Sequence, residues 1–501
     1  MLLVAFFVLG AGWSLSTAPG GSPDEIQHAI RAITVWDGQL LLDPLPGGGA
    51  AVEIPQSWTQ IQDGIRCFAG SGEKSAACEV WPSDQGPPVP AGNSAGRYNP
   101  TFYLLVGLPL RLFSAPEAGL HIARLLAALL SAVLLALAAG AIVVRGGSVM
   151  ARVGLVAALT PMALFLGSTI NPSGMEISGA VAGWVGLLLL ARNPEHPAVR
   201  YFAVVTAVGL CSMVASRPAS YLWLAVLGGV FLIAAGRNLG ILLRRRAVVI
   251  AGGVVIVVTL LCLGWNWVAR TSDVSTGAAS FGGLAEGLRK TFLGSGDWWA
   301  QQVGVLGWLD TPLPTGVLWG TLLVAGVLVI PALAAGRPTM RLALTVAIAA
   351  AVVVPIVAQT VLYPQTGFIW QGRYSMPLTV GVVIVAGLAL DETSAFEARF
   401  AARLLRLCLA IWAFVGTAMG FYNLQRYATG SGENAGYRLF FGASPWEPPG
   451  GNTLTLLVIA AGYLAVALAL ARVGRHPRVN EEPGREPGPA LGDRSPTTRD
   501  A

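Results

Sequence analysis

The chain has 501 residues, of which 54% are hydrophobic and only 12% charged, with a mean hydropathy of +0.63. A soluble domain carries about 25% charged residues, so this composition excludes a water-soluble globular protein and indicates an integral membrane one. The net charge of +6 is no nucleic-acid signal, because the arginines sit at the ends of apolar runs, as the positive-inside rule requires.

A bilayer core needs about 17–25 apolar residues in a helix. Such runs lie near 2–17, 120–144, 150–169, 175–191, 200–216, 218–236, 247–268, 316–335, 341–362, 374–391, 402–422 and 453–472. The expected fold is therefore an all-α polytopic membrane protein of about 12 transmembrane helices with a large first extracytoplasmic loop. Residues 1–17 form the first helix or a signal anchor; Ser16-Thr17-Ala18 also reads as a cleavage site, without a basic n-region. Residues 18–119 form the extracytoplasmic loop with interfacial helices, and 120–472 the multi-helix domain, with outer loops near 269–315 and 423–452. Residues 473–501, rich in Pro, Gly, Glu and Arg, are expected to be a disordered cytoplasmic tail. No internal repeat is apparent.

Sidedness follows from the arginines. Arg244-Arg245-Arg246, Arg337 with Arg341, Arg399 with Arg403 and Arg406, and the tail arginines alternate correctly as cytoplasmic segments. The first loop is then outside provided that 101–113 does not cross, and its length and Arg111 favour an interfacial helix there. Both termini face the cytoplasm in this scheme. Cys67 and Cys78 share the first loop, where an oxidising compartment makes a disulfide plausible; Cys211, Cys262 and Cys408 lie in apolar helices as small core residues. No CxxC or His-rich metal pattern occurs.

Pro23-Asp24-Glu25, followed by His28, opens that loop. Two carboxylates and an imidazole beside a bilayer are costly without a task. The spacing predicts a short helix over 24–36, capped by Ser22, with His28 one turn beyond the acids. One carboxylate could then act as general base and the other bind a divalent cation such as Mg or Mn. The alternative is acids favouring a helix dipole. Asn171-Pro172-Ser173-Gly174-Met175-Glu176 starts a helix whose free N–H groups could hold an anion, or is an ordinary tight turn.

Arg217, before Pro218, and Arg373, in Gln371-Gly372-Arg373-Tyr374, fall on the outer side, where few arginines are expected. A lipid phosphate would account for them, as would snorkelling to headgroups; Arg124 is a further candidate of the same kind. Outer tryptophans suit an interfacial belt, although Trp298-Trp299 beside Asp297 in a Gly-rich loop could stack on a sugar.

Together, Pro23-Asp24-Glu25 with His28, Tyr98-Asn99-Pro100-Thr101-Phe102-Tyr103, Asn171-Pro172-Ser173-Gly174 and Gln371-Gly372-Arg373-Tyr374 resemble the DUF2142 family of bacterial membrane proteins over about 20–425. That family is similar in layout to GT-C glycosyltransferases. The resemblance implies transfer of a sugar from a polyprenyl-phosphate donor to a cell-envelope glycan acceptor on the outer face of the plasma membrane. It places catalysis on Asp24, with Glu25 as partner, and the Arg373 motif, with Gln371 and Tyr374, where a lipid phosphate is expected; His28 joins the catalytic candidates, and Arg217 and Asn171 the substrate-binding ones, on their own placement. The chain departs from the family where Asn-Pro-Asp-Gly becomes Asn171-Pro172-Ser173-Gly174, and where the usual double proline becomes Tyr98-Asn99-Pro100-Thr101. Other functions compatible with the residues are a lipid-linked glycan transporter or flippase, which predicts mid-membrane charges and broken helices, and a non-catalytic envelope assembly factor.

Overall fold

The computed structural model describes residues 1–472 except 47, 147, 272–280, 394–396, 433–435, 437 and 440–443. The proposed tail at 473–501 lies outside the described residues. The chain is almost entirely helical. Helix α1 (Leu2–Leu15) leads through a tight turn into α2 (Glu25–Trp36). The first loop then forms an antiparallel pair, β1 (Ala50–Pro55) and β2 (Pro88–Asn93), in register from Ala50↔Asn93 to Pro55↔Pro88, with α3 (Gln56–Gly64) between them. A disulfide joins Cys67 to Cys78 within this excursion, with Cα atoms 6.1 Å apart. Two short helices follow, α4 (Thr101–Val106) and α5 (Leu108–Leu112), each far too short to cross a bilayer.

The remaining helices are α6 (Pro116–Arg145), α7 (Val149–Ala158), α8 (Pro161–Gly167), α9 (Pro172–Arg192), α10 (Val199–Ser216), α11 (Ser220–Ala235), α12 (Leu239–Leu242), α13 (Arg246–Val268), α14 (Leu284–Gly304), α15 (Thr315–Ala335), α16 (Pro338–Thr366), α17 (Met376–Asp391), α18 (Ala398–Ala428) and α19 (Gly451–Arg472). Among the described residues, ten helices are long and apolar enough to span a membrane, and the bent pair α7/α8 makes an eleventh if counted as one. The run expected over 150–169 is this pair, bent by 67°. Pro161 lacks an N–H and pushes Thr160 to extended backbone (ψ 160°), so the helix stops and restarts. At 14 residues α1 falls short of a full span.

Helix α9 lies at the centre, its span wholly buried. Its apolar residues run all round the axis, the pattern of a helix enclosed by others. Glycines allow its neighbours close: a Cβ on Gly209 of α10 would meet the Gly183 nitrogen at 2.5 Å. Small residues of this kind, together with shape, hold helices together in lipid. Against this bundle sits a second core in which Ile26, Ile30 and Ile33 of α2 meet Ile54, Trp58, Phe102, Tyr103 and Leu120.

Polar ties fasten the loop to the bundle. Buried Arg426 at the end of α18 pairs with Asp310 at 2.7 Å and donates to the Lys74 and Phe68 carbonyls. Asp310 also accepts from the Gly70 N–H at 3.0 Å. The outer loop expected at 269–315 contains α14 and a small hairpin, Val305–Leu306 with Thr311–Pro312. Trp298 therefore lies on a helix rather than in a Gly-rich loop. It is buried against Phe368 and Trp370, with centroids 5.9 and 6.1 Å away, so it presents no face to a sugar.

The disulfide closes a short loop, and the chain-entropy relation gives it a little under ~3 kcal/mol. Replacing Cys67 and Cys78 by Ser is expected to lower the resistance of the 56–93 segment to proteolysis while α6–α19 stay intact, as limited digestion followed by mass spectrometry would read.

Candidate functional site

Residues 20–25 carry the turn from α1 to α2, and the two adjacent acids leave it in different directions. Ser22 does not cap the helix: Asp24 occupies the N-cap position in left-handed backbone (φ 59°), with no side-chain cap bond. That conformation costs an L-residue roughly 1–2 kcal/mol and persists where surrounding contacts impose it. Here it turns the Asp24 carboxylate outward as the helix carries Glu25 inward.

Glu25 is completely buried. Its Oε1 accepts from Arg124 Nε at 2.7 Å and the Ile170 N–H at 3.0 Å; its Oε2 accepts from Arg124 Nη2 at 2.5 Å and the Gly20 N–H at 3.1 Å. Arg124 also donates to the carbonyls of Ser14, Thr17 and Ala18. Arg124 is thus consumed internally and is no outer phosphate ligand. The same bonds take up both oxygens of Glu25, so the expected Asp24–Glu25 pair does not converge on a cation. Among the described residues no group of three His, Cys, Asp or Glu is placed to hold a metal ion. Asp24 alone, beside two arginines, does not fit a divalent cation.

Asp24 instead meets Arg373, Oδ2 to Nη2 at 2.5 Å, across 349 residues of sequence. Burial raises its pKa, but the positive charges of Arg373 and Arg217 outweigh this and hold the carboxyl below its ordinary value of 3.8. It is therefore ionised at any physiological pH, and its side chain keeps 41% of its exposure. Arg373 is only 3% exposed, and its Nε and Nη1 have no hydrogen-bond partner among the described residues. Two buried, unpaired guanidinium donors are costly unless a ligand meets them.

Arg217 completes the group. It donates to Ser173 Oγ at 2.6 Å and Tyr98 OH at 3.3 Å, and lies over the rings of Tyr374 (4.6 Å) and Tyr98 (5.8 Å). The Tyr374 ring also lies 5.2 Å from the Arg373 guanidinium, so both cations border one aromatic side chain. No carboxylate lies within ion-pair distance of Arg217 among the described residues. At the position where the family resemblance gives Asp, Ser173 offers Arg217 a hydroxyl.

His28 is buried beneath this cluster, sharing a 2.9 Å hydrogen bond between Nδ1 and Tyr103 OH. Burial, with Arg217 and Arg373 adding to it, pushes its pKa from 6.5 down to about 3, so the imidazole is neutral. Asn171 is also internal: it caps α9 through the Ser173 N–H and donates to the Pro23 carbonyl at 2.9 Å. It positions the Asp24 turn and does not face a substrate. Gln371 begins the turn before α17, its Oε1 buried and without a partner among the described residues.

Two residues near the site take roles that the sequence did not reveal. Glu176, which reads as a first-turn acid, is buried; its Oε1 accepts from Ser220 Oγ and Trp223 Nε1 while Oε2 has no partner among the described residues. Arg124 was legible as a charge in an apolar helix, but its partner was not.

The arrangement is that of a polytopic helical membrane protein with a two-arginine, one-carboxylate centre at one end of its bundle. The chain belongs to the family described as "Predicted membrane protein (DUF2142)", whose profile matches residues 7–382. Among solved structures it is similar to ArnT from Cupriavidus metallidurans bound to undecaprenyl phosphate, at 16% identity and a TM-score of 0.43, over 94% of this chain and 76% of that one. The apo state of the same ArnT gives 16% identity and a TM-score of 0.37, over 88% and 75%. No curated protein matches the sequence.

Two outcomes are expected. Arg124→Met leaves the Glu25 carboxylate buried without its cation and should cost ~3–5 kcal/mol, whereas the double variant Glu25→Met/Arg124→Met recovers most of it, as melting curves in detergent would show. For His28 the unfolded chain takes up a proton near pH 6.5 and the folded chain only near pH 3, so stability falls as pH drops through that window, by up to ~1.4 kcal/mol per unit. His28→Gln should flatten that share of the pH–stability curve.

Proposed function

We propose that the protein is a membrane glycosyltransferase that moves a sugar from a polyprenyl-phosphate donor to a cell-envelope acceptor at the outer face of the plasma membrane. The observation that carries this reading is Arg373, buried, bonded to Asp24 and with two donors unused. Arg373 and Arg217 supply bidentate donors and two positive charges to a phosphate that leaves from the anomeric carbon. Asp24 is the base. The acceptor oxygen bonds to the anomeric carbon, the carbon–oxygen bond to phosphate breaks with its electron pair going to phosphate, and the hydroxyl proton passes to Asp24. With Glu25 committed to Arg124, one carboxylate serves this chemistry, which supports direct inversion.

An apolar cavity of about 350 Å³ gives the lipid a place. Val156, Val317, Val380, Ile411 and Trp412 line it, and it reaches Met376, three residues beyond Arg373. Sidedness has its own support. Arg145, Arg192 and Arg337 pair with Asp391 and Glu392 at the far end of α17, whose 16 residues span about 24 Å at ~1.5 Å per residue. A disulfide in the loop beside the site suits an oxidising compartment.

A transporter reading draws on two observations, the break between α7 and α8 and the buried carboxylate of Glu176. Native mass spectrometry and turnover on the reconstituted protein separate the two. Under the transferase reading a polyprenyl phosphate or phospho-sugar co-purifies and is lost in Arg373→Ala. Asp24→Asn keeps the lipid but loses ~10²–10⁴ in turnover, while Glu176→Gln retains it. Transport of lipid-linked glycan that depends on Glu176 and survives Asp24→Asn would replace the reading.

A further inference from the structure

A second cavity, of about 640 Å³, also borders Asp24 and is lined by no residue of α17. Its walls come from the start of α2, the end of α3, β2 and the Val305–Pro312 hairpin, and it is lined by Asp24, Gln27, Gln62, Arg66, Ser94 and Trp308 among others. The volume lies within the roughly 300–1,000 Å³ of small-molecule sites. None of the phosphate-site arginines lines it, so it is distinct from the donor side.

The lining is specific in its chemistry. Gln27 Oε1 is fixed by the Ser94 N–H at 3.0 Å and the Ser94 hydroxyl at 3.3 Å, and the Gln27 carbonyl accepts from Asn93 Nδ2. These bonds set the carboxamide in one orientation. Its Nε2 donates to nothing among the described residues, leaving a preset donor three residues from Asp24 on the same wall. The Trp308 indole is fixed in turn by its Nε1, which donates to the Gly20 carbonyl at 2.9 Å. Arg66, the one cation in the lining, is paired with Asp63 at 3.7 Å, and both are largely exposed. The wall thus combines an apolar part, the Trp308 ring with Ile26, Ile65 and Ala69, with carboxamides and a hydroxyl that both give and accept hydrogen bonds, one carboxylate and the paired Arg66. Asp24 is already paired with Arg373 and Arg66 with Asp63, so the lining offers an ionic ligand no free counter-charge, and a wholly apolar one would strip the amides of water without replacing their bonds. A neutral polyol ring with one apolar face satisfies both demands.

We infer that this cavity is the acceptor subsite, that it takes the terminal ring of an uncharged saccharide, and that Gln27 positions the ring so that one hydroxyl reaches Asp24. The inference rests on the transferase reading for the role of Asp24 but makes its own claim, that a neutral sugar binds through Gln27. Gln27 is a positioning residue, since Asp24 takes the proton.

The test uses full-length protein in nanodiscs and saturation-transfer NMR with the methyl pyranosides of glucose, galactose, mannose and rhamnose at millimolar concentration. At least one glycoside should receive saturation, and that signal should fall several-fold in both Gln27→Leu and Gln27→Glu. The Glu variant keeps the acceptor for Ser94 but removes the donor, so a loss there cannot come from a collapsed wall. In turnover assays, Gln27→Glu should raise KM for the acceptor with kcat unaltered. Absence of saturation for all four glycosides, or equal saturation in wild type and both variants, would overturn the inference. Donor-lipid retention on the same samples keeps the two claims apart: sugar binding without lipid sinks the transferase reading alone, and lipid without sugar binding sinks the acceptor subsite alone.

Discussion

The bond between Glu25 and Arg124 holds the molecule's working end together. A single carboxylate and a single guanidinium, both wholly buried, join the exit of α1, the start of α2, the first third of α6 and the turn between α8 and α9. Every polar atom of the pair has a protein partner, the condition under which a buried ion pair is tolerable. Because Glu25 is pinned, its neighbour must leave the helix axis elsewhere, and the left-handed backbone of Asp24 is the result. One acid is structural so that the other can be free. Asn171 reinforces this by tying the Pro23 carbonyl to the start of α9.

The electrostatics around Asp24 are unbalanced by design of the sequence. Two arginines face one ionised carboxylate, with a neutral imidazole beneath, so the centre keeps an excess positive charge. Tyr374 separates the two guanidinium groups and shields part of their repulsion. An excess of buried charge of this kind is costly, and it persists because the surrounding packing holds it.

Much of this was legible from residue patterns. The spans were visible because lipid demands long apolar runs, and 101–113 was recognisably too short. Arg217 and Arg373 stood out as charges on the side where positive-inside statistics disfavour them, and the structure brings both to Asp24. What escaped was long-range pairing. Adjacency of Asp24 and Glu25 suggested one site, whereas their carboxylates diverge because a positive φ cannot be read from a Pro-Asp-Glu string. Asn171 and Arg124 looked outward by position yet turn inward, since a helix boundary does not reveal which neighbour covers it. The β1–β2 pair was likewise invisible, its alternating pattern being diluted by Pro88, Pro90 and Gly92.

These pairings also dictate an order of assembly. The partner of Glu25 lies 99 residues downstream and that of Asp24 lies 349. At ~5–20 residues per second of synthesis, Arg373 emerges roughly 20–70 s after Asp24. During that interval the first loop can fold on Arg124 and close its disulfide, but the centre has no second half. The newborn chain is inserted and partly folded well before Arg373 reaches Asp24, so this centre is completed only with a finished bundle.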